Sequence, residues 1–233
     1  MRRGVFVTGT DTGVGKTLAA CALLHALAVR GVAAVPMKPI AAGATERDGQ
    51  WANDDTRELL AAAGLERTWA EAVTPVLLRE PLAPHIAAAR EGRVLDIAPV
   101  VAALARLASP DRFLVVEGVG GFCVPLGERL DTVELARVVG LPVVIVVGLR
   151  LGCLNHALLT ARAVAAAGLA LAGWIANAVD PRMAARDENI AALRERLPAP
   201  LLGVLPCMPQ PDARAMAAHL DVTVLVRGAG ANA

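Results

Sequence analysis

The stretch Gly9-Thr10-Asp11-Thr12-Gly13-Val14-Gly15-Lys16-Thr17 follows a short apolar run, Val5-Phe6-Val7-Thr8, and precedes an Ala/Leu-rich segment over 18–30. An expected strand, a glycine-rich turn and an amphipathic helix in that order provide the context of a phosphate-binding loop. Small residues let backbone N–H groups turn inward on a polyphosphate, and the helix start adds positive potential. In such a loop Lys16 reaches the terminal phosphates and the Thr17 hydroxyl ligates Mg2+. The strict pattern G-x-x-x-x-G-K-[ST] would place glycine at position 10, where this chain has Thr10, with Gly9 one residue early. The match is therefore to a variant of the motif, and Gly13, Val14, Gly15, Lys16, Thr17 and Leu18 are its candidate nucleotide-binding residues.

Outward from the loop, short apolar runs alternate with longer segments of helical period, the pattern of βαβ units around a buried parallel sheet. Strands are expected over 4–8, 32–37, 113–117, 142–147, 170–176, 200–205 and 222–226, and helices over 16–30, 54–63, 84–91, 96–108, 132–139, 155–167, 183–196 and 212–219. No linker-like shift in composition and no internal repeat divides the chain. The expected fold is α/β, a single P-loop NTPase-like domain over 1–226 with a mostly parallel sheet and helices on both faces, followed by a flexible tail over 227–233. The long connections over 41–53 and 73–84 follow strand ends or carry prolines, and loops at the carboxyl edge of such a sheet are where ligands bind.

At 233 residues, with 23 basic and 22 acidic side chains, the chain is long enough for a substantial core and nearly neutral, which argues against a broad nucleic-acid footprint. Its hydrophobic fraction of 55% contains no apolar run of about 18 residues, and the start turns polar too soon for a signal peptide. No membrane association and a cytoplasmic location are expected. Cys21, Cys123, Cys153 and Cys207 are scattered without metal-ligand spacing and read as reduced core residues. Among the 23 basic residues only Lys16 and Lys38 are lysines. A coding bias toward arginine accounts for the majority but not for why these two remain.

The run GTDTGVGKT, then Met37-Lys38-Pro39-Ile40, then Val116-Glu117-Gly118-Val119-Gly120-Gly121, resembles dethiobiotin synthetase. Asn53-Asp54-Asp55, Glu80-Pro81 with Pro84-His85, Leu151-Gly152-Cys153-Leu154-Asn155-His156, Gly173-Trp174-Ile175-Ala176-Asn177 and Leu202-Gly203-Val204-Leu205-Pro206 match in the same order and cover nearly the whole chain. The resemblance implies an ATP- and Mg2+-dependent ligase that closes a ureido ring on 7,8-diaminononanoate with CO2 or bicarbonate in biotin biosynthesis. One amine forms a carbamate, ATP phosphorylates it, and the second amine attacks the mixed anhydride. Bringing an anionic carbamate to an anionic γ-phosphate calls for positioned cations. The resemblance assigns that work to Lys16 and Lys38 with Thr12, and the metal to Thr17, Asp55 and Glu117, leaving Asp54 as a helix cap.

It further implies nucleotide contacts from Gly118, Val119 and Gly120, with adenine against Asn177 and Pro206, Cys207 and Met208. Substrate contacts are expected from Lys38, Ala42, Leu151, Gly152, Cys153 and Asn155, the stretch 151–155 serving a homodimer partner. Ala42 stands where the family often has Ser, removing one hydrogen bond worth on the order of 1 kcal/mol. Asn177-Ala178-Val179-Asp180 also reads as a guanine-reading N-K-x-D lacking its lysine, although ATP is the expected nucleotide. Two other classes share parts of this pattern. A partner-regulated ATPase switch usually carries a second loop lysine where this chain has Asp11, and a ligase acting on another carboxylate is distinguished by its substrate.

Overall fold

The computed structural model describes residues 2–47, 49–128 and 130–227. Its strands are β1 (Arg3–Gly9), β2 (Ala34–Met37), β3 (Ile40–Ala42), β4 (Thr45–Arg47), β5 (Gln50–Ala52), β6 (Val76–Leu78), β7 (Phe113–Glu117), β8 (Val143–Gly148), β9 (Leu171–Asn177) and β10 (Leu201–Leu205). The helices are α1 (Lys16–Val29), α2 (Asp54–Ala62), α3 (Ala70–Val73), α4 (Pro84–Arg90), α5 (Ala98–Leu107), α6 (Thr132–Val139), α7 (Cys153–Ala166), α8 (Arg186–Arg196), α9 (Ala213–Ala217) and α10 (Thr223–Arg227), with a 3-10 turn over Arg67–Trp69. Six strands make one sheet in the order β10-β9-β8-β1-β7-β2, and every pairing in it is parallel.

A parallel sheet covered on both faces requires strands that are apolar at successive positions, and β7 and β8 are buried throughout their length. Strand alternation then divides their side chains between two cores. Val5, Val7, Val115, Val144 and Val146 join the core around α1, α9 and α10, whereas Phe6, Leu114, Val116, Ile145 and Val147 join the opposite one, with residues of α5, α6 and α7. The expected two-faced α/β domain is the observed one.

Several local expectations are corrected. Helix α1 is not amphipathic: Ala19, Ala20, Ala22, Leu23, Leu24 and Leu27 are buried around its circumference. The sheet covers one side while α2 and α9 pack against others, and a helix surrounded in this way is apolar all round. The segment 222–226 is not a strand but most of α10. Asp221 Oδ1 accepts from the Thr223 N–H at 2.9 Å, capping the turn, and Val222 and Leu225 pack at helical spacing into the α1 core.

The long connections contain structure of their own, a parallel β3–β6 pair and an antiparallel β4–β5 hairpin. Helix α7 begins at Cys153, earlier than expected, and α8 at Arg186, later than expected. Cys21 and Cys153 are core residues as anticipated, but Cys123 and Cys207 are exposed. Of the expected tail, 228–233 lies outside the described residues.

The burial of α1 predicts a sharp contrast along one helix. Leu23→Ala, at a fully buried site, should cost about 2–5 kcal/mol in urea unfolding. Val29→Ala, at a site 87% exposed, should stay within about 0.5 kcal/mol of the parent.

Candidate active site

Because the sheet is parallel, its strands deliver their carboxyl ends to one edge. Gly9 ends β1, Glu117 ends β7, Gly148 ends β8 and Asn177 ends β9, while Lys38 lies one residue beyond β2. At this edge a cleft of about 680 Å³ is lined by Thr12, Gly13, Gly15, Lys16, Thr17, Lys38, Ala42, Asp55, Glu117, Val119 and Gly120, closed by Pro81–Pro84 and Val124. Residues as far apart in the chain as Thr12 and Val124 thus share one chamber. Gly15 holds a left-handed φ of 82° at the start of α1, whose first turn has no side-chain cap. Uncapped first-turn N–H groups are the condition under which a helix start holds an anion.

The polar centre is a single connected network. Lys38 Nζ donates to Glu117 Oε1 at 2.6 Å and to Asp55 Oδ2 at 2.7 Å, and the Thr17 hydroxyl donates to the same Glu117 Oε1 at 2.9 Å. Lys38 and Glu117 are buried and Asp55 is partly exposed. Burial opposes the Lys38 charge, but Glu117 and Asp55 outweigh it and raise the ammonium's pKa. Burial likewise opposes the Asp55 charge, and Lys38 overcomes it, holding the carboxyl below its ordinary value. Lys16 differs: desolvation dominates and lowers its pKa, while Nζ donates to the Asp11 carbonyl at 3.0 Å.

Asn53, rather than Asp54, caps α2. Its Oδ1 accepts from the Asp55 N–H at 3.0 Å, and its Nδ2 donates to the Ala42 carbonyl, also at 3.0 Å. One side chain therefore sets both the start of the helix bearing Asp55 and the strand end bearing Ala42. Asp54 instead pairs with Arg57. The sequence signal for Asn53 was present, since Asn is a strong helix cap, but two neighbouring aspartates concealed it. The Asp11–Arg150 ion pair, joining the loop to the residue before Leu151, had no local signal at all.

Other expected residues stand outside the cleft. Val14 is buried behind the loop, and Asn177 donates from Nδ2 to the Val14 carbonyl at 2.9 Å. Leu18 packs against the α1 core, and Gly118 donates its N–H to the Val7 carbonyl at 2.9 Å. Pro206 and Cys207 line a separate cavity of about 500 Å³ with Ala178, Asp180 and Arg186, and Met208 follows them, partly exposed. Leu151 is 98% exposed, Gly152 takes a left-handed φ of 93° at the start of α7, Cys153 is buried and Asn155 is exposed.

Among the described residues no group of three His, Cys, Asp or Glu side chains is arranged to hold a metal by itself. Thr17, Asp55 and Glu117 nevertheless form a hard-oxygen set, and Glu117 Oε2 is buried without a hydrogen-bond partner. That set fits Mg2+, which is commonly bound through one or two carboxylates plus substrate phosphates and waters.

Residues 3–215 match a family model described as an AAA domain. An ATP-dependent dethiobiotin synthetase BioD of Aromatoleum aromaticum is 53% identical over 222 residues, covering 94% of this chain and 96% of that protein. The chain belongs to the dethiobiotin synthetase family. The protein of the same name from Ralstonia nicotianae is 51% identical over 226 residues, with 97% of this chain and 98% of that one covered. Among solved structures, the septum site-determining protein MinD of Pyrococcus horikoshii, complexed with Mg-ADP, aligns with a TM-score of 0.55 at 17% identity, covering 100% of this chain and 93% of that one. Chloroplast FtsY of Physcomitrella patens aligns at 0.51 and 18% identity, covering 97% and 65%. These two likenesses establish a shared fold. Family membership sets the chain apart from the partner-regulated switches.

No helix among the described residues is long and apolar enough to cross a membrane. The depressed Asp55 pKa carries a pH signature. Its stabilisation is fully present above its unfolded value of 3.8 and is lost as pH falls through the lower folded value. In denaturant titrations the stability difference between the parent and Asp55→Asn should therefore shrink as the pH is lowered from neutrality to about 3.

Proposed function

We propose that the cleft binds ATP on loop 9–17 and uses it to carboxylate and cyclise 7,8-diaminononanoate with CO2, yielding dethiobiotin, ADP and phosphate. Membership of the family makes the chain an ATP-dependent ligase that forms C–N bonds in biotin biosynthesis. The finer assignments rest on the cleft. The observation that carries them is the Lys38 ammonium, buried between Asp55 and Glu117 in the same chamber as Lys16 and the loop.

The chemistry joins two anions. An amine of the diamine captures CO2 and releases a proton, giving a carbamate whose oxygen is a poor leaving group. That oxygen attacks the γ-phosphorus of ATP, the bond to ADP breaks, and a carbamic-phosphoric anhydride forms. The second amine attacks the anhydride carbon, phosphate departs with the C–O electron pair, and the ring closes. Lys16 and Lys38 lie on the phosphate side of the cleft, where their ammonium groups offset the repulsion between carbamate and γ-phosphate. Thr12, at the loop's outer turn, hydrogen-bonds the reacting oxygens.

Thr17, Asp55 and Glu117 would hold Mg2+, which when bound supplies charge neutralisation at the β- and γ-phosphates. Loop residues Gly13, Gly15 and Leu18 and strand-end residues Gly118, Val119 and Gly120 flank the nucleotide. Pro206, Cys207 and Met208 lie toward its base, with Asn177 contributing from β9. Ala42 lines the substrate end of the cleft. Leu151, Gly152, Cys153 and Asn155 reach the diamino acid's carboxylate across a homodimer interface, a reading supported by the exposure of Leu151 and Asn155 at a helix start.

Purified protein given diaminononanoate, bicarbonate, Mg2+ and ATP should form dethiobiotin with matching phosphate release. Hydrolysis of ATP without that product would overturn the assignment, and release driven by a different carboxylate would redirect it. Lys16→Ala and Lys38→Ala should each lower kcat by at least about 100-fold. Lys38→Arg should also be damaging, because a planar guanidinium does not replace a compact ammonium held between two carboxylates. Full turnover in Lys38→Arg would refute that account of Lys38.

A further inference from the structure

The phosphate-binding loop does not hold its shape unaided. Val14, at its middle, is 1% exposed and sits between two glycines. A Cβ on Gly9 would come within 2.7 Å of Val14 Cγ2, and one on Gly148 within 2.8 Å of Val14 Cγ1. The ends of β1 and β8 thus accommodate this side chain only because neither carries one of its own. The Val14 carbonyl is held from a third strand, by Asn177 Nδ2 at 2.9 Å.

Asn177 is itself rigidly placed. Its carbonyl accepts from the Leu149 N–H at 2.8 Å and the Val179 N–H at 2.9 Å, and its residue pairs with Gly148 on one side and Leu205 on the other. The side chain is also pressed against the next loop residue. A Cβ on Gly15 would lie 2.2 Å from Asn177 Nδ2. Since the Val14 carbonyl can only accept, the amide's NH2 must face it, which leaves Oδ1 and the second amide N–H unspent by that bond.

The geometry points to Asn177 as a positioning residue for the phosphate-binding loop, acting through the Val14–Gly15 peptide in addition to the base contact proposed above. In a planar trans peptide the carbonyl and the following N–H point in opposite directions. Holding the Val14 carbonyl against Asn177 therefore aims the Gly15 N–H away from Asn177, and Gly15 lines the cleft. Without that anchor the peptide is flanked by a glycine at φ 82°, the residue type that rotates most freely. The loop would then lose a preset donor for the polyphosphate. Asn177 is 5% exposed and lines neither the cleft nor the Pro206 cavity, so its side chain is packed against the loop itself.

This inference rests on the reading that loop 9–17 holds the phosphates of ATP, and a base-free probe separates the two. Inorganic tripolyphosphate and ATP are titrated calorimetrically into the parent, Asn177→Ala and Asn177→Asp, with thermal melts confirming folding. Tripolyphosphate should weaken about tenfold in Asn177→Ala, and ATP by at least as much. The loss should be larger in Asn177→Asp, where an acceptor faces the Val14 carbonyl. Unchanged tripolyphosphate affinity in both variants, with or without a loss for ATP, overturns the brace. Failure of the parent to bind tripolyphosphate instead overturns the reading of the loop. Should Asn177→Ala lose its cooperative melt, the near-isosteric Asn177→Asp carries the comparison.

Discussion

The buried pair formed by Lys38 and Glu117 is the constraint around which the site is organised. Lys38 is 3% exposed and Glu117 1%, so neither charge would be tolerated there alone. Their separation of 2.6 Å, with Asp55 completing the triad, makes the arrangement tenable. Breaking such a pair from one side leaves an uncompensated buried charge, typically a larger penalty than any gain from forming the pair. The pair also ties the end of β7 to the residue after β2 and to the first turn of α2. Three elements far apart in sequence are thereby brought into register at one edge of the sheet.

Everything the proposed chemistry needs follows from that edge. Parallel strands align their carboxyl ends, and loops leaving them in the same direction converge. Lys16 arrives from the β1 loop and Lys38 from β2, so both lysines of a chain otherwise basic through arginine line the same cleft. An ammonium is a compact charge that fits among phosphate and carboxylate oxygens, whereas a guanidinium prefers a planar two-pronged partner. The environments of the two differ in a useful way: carboxylates hold Lys38 charged, while desolvation presses on Lys16. An anionic polyphosphate beside Lys16 would offset that pressure.

The α/β architecture and the phosphate-binding loop were legible from the chain because their signals are local, whereas Lys38, Asp55 and Glu117 were assigned through the resemblance to a family. Apolar runs mark strands that are buried on both faces, and the glycine-rich turn before Lys16 marks the loop. What escaped was decided by neighbours. The burial of α1 on all sides depends on α2 and α9 packing against it, and no periodicity within 18–30 reports what lies outside the helix. The run 222–226 is apolar enough for either a strand or a helix, and the Asp221 cap with the core pocket for Val222 and Leu225 selects the helix. The motif around Asn53 carries no mark of the contact by which this cap joins α2 to the Ala42 strand end.

The chain by itself determined the succession of elements and the phosphate-binding loop with its lysine, because spacing and residue type carry those properties, and the resemblance to a family added the other charged residues. Tertiary structure alone decided which of these groups meet. It placed Asn177 against a carbonyl 163 positions away and Glu117 against a hydroxyl 100 positions away. It also joined Asp11 to Arg150. The reason is physical: such contacts depend on the order of strands in the sheet and on which glycines allow close approach. Neither is encoded within any window of the sequence short enough to be read alone.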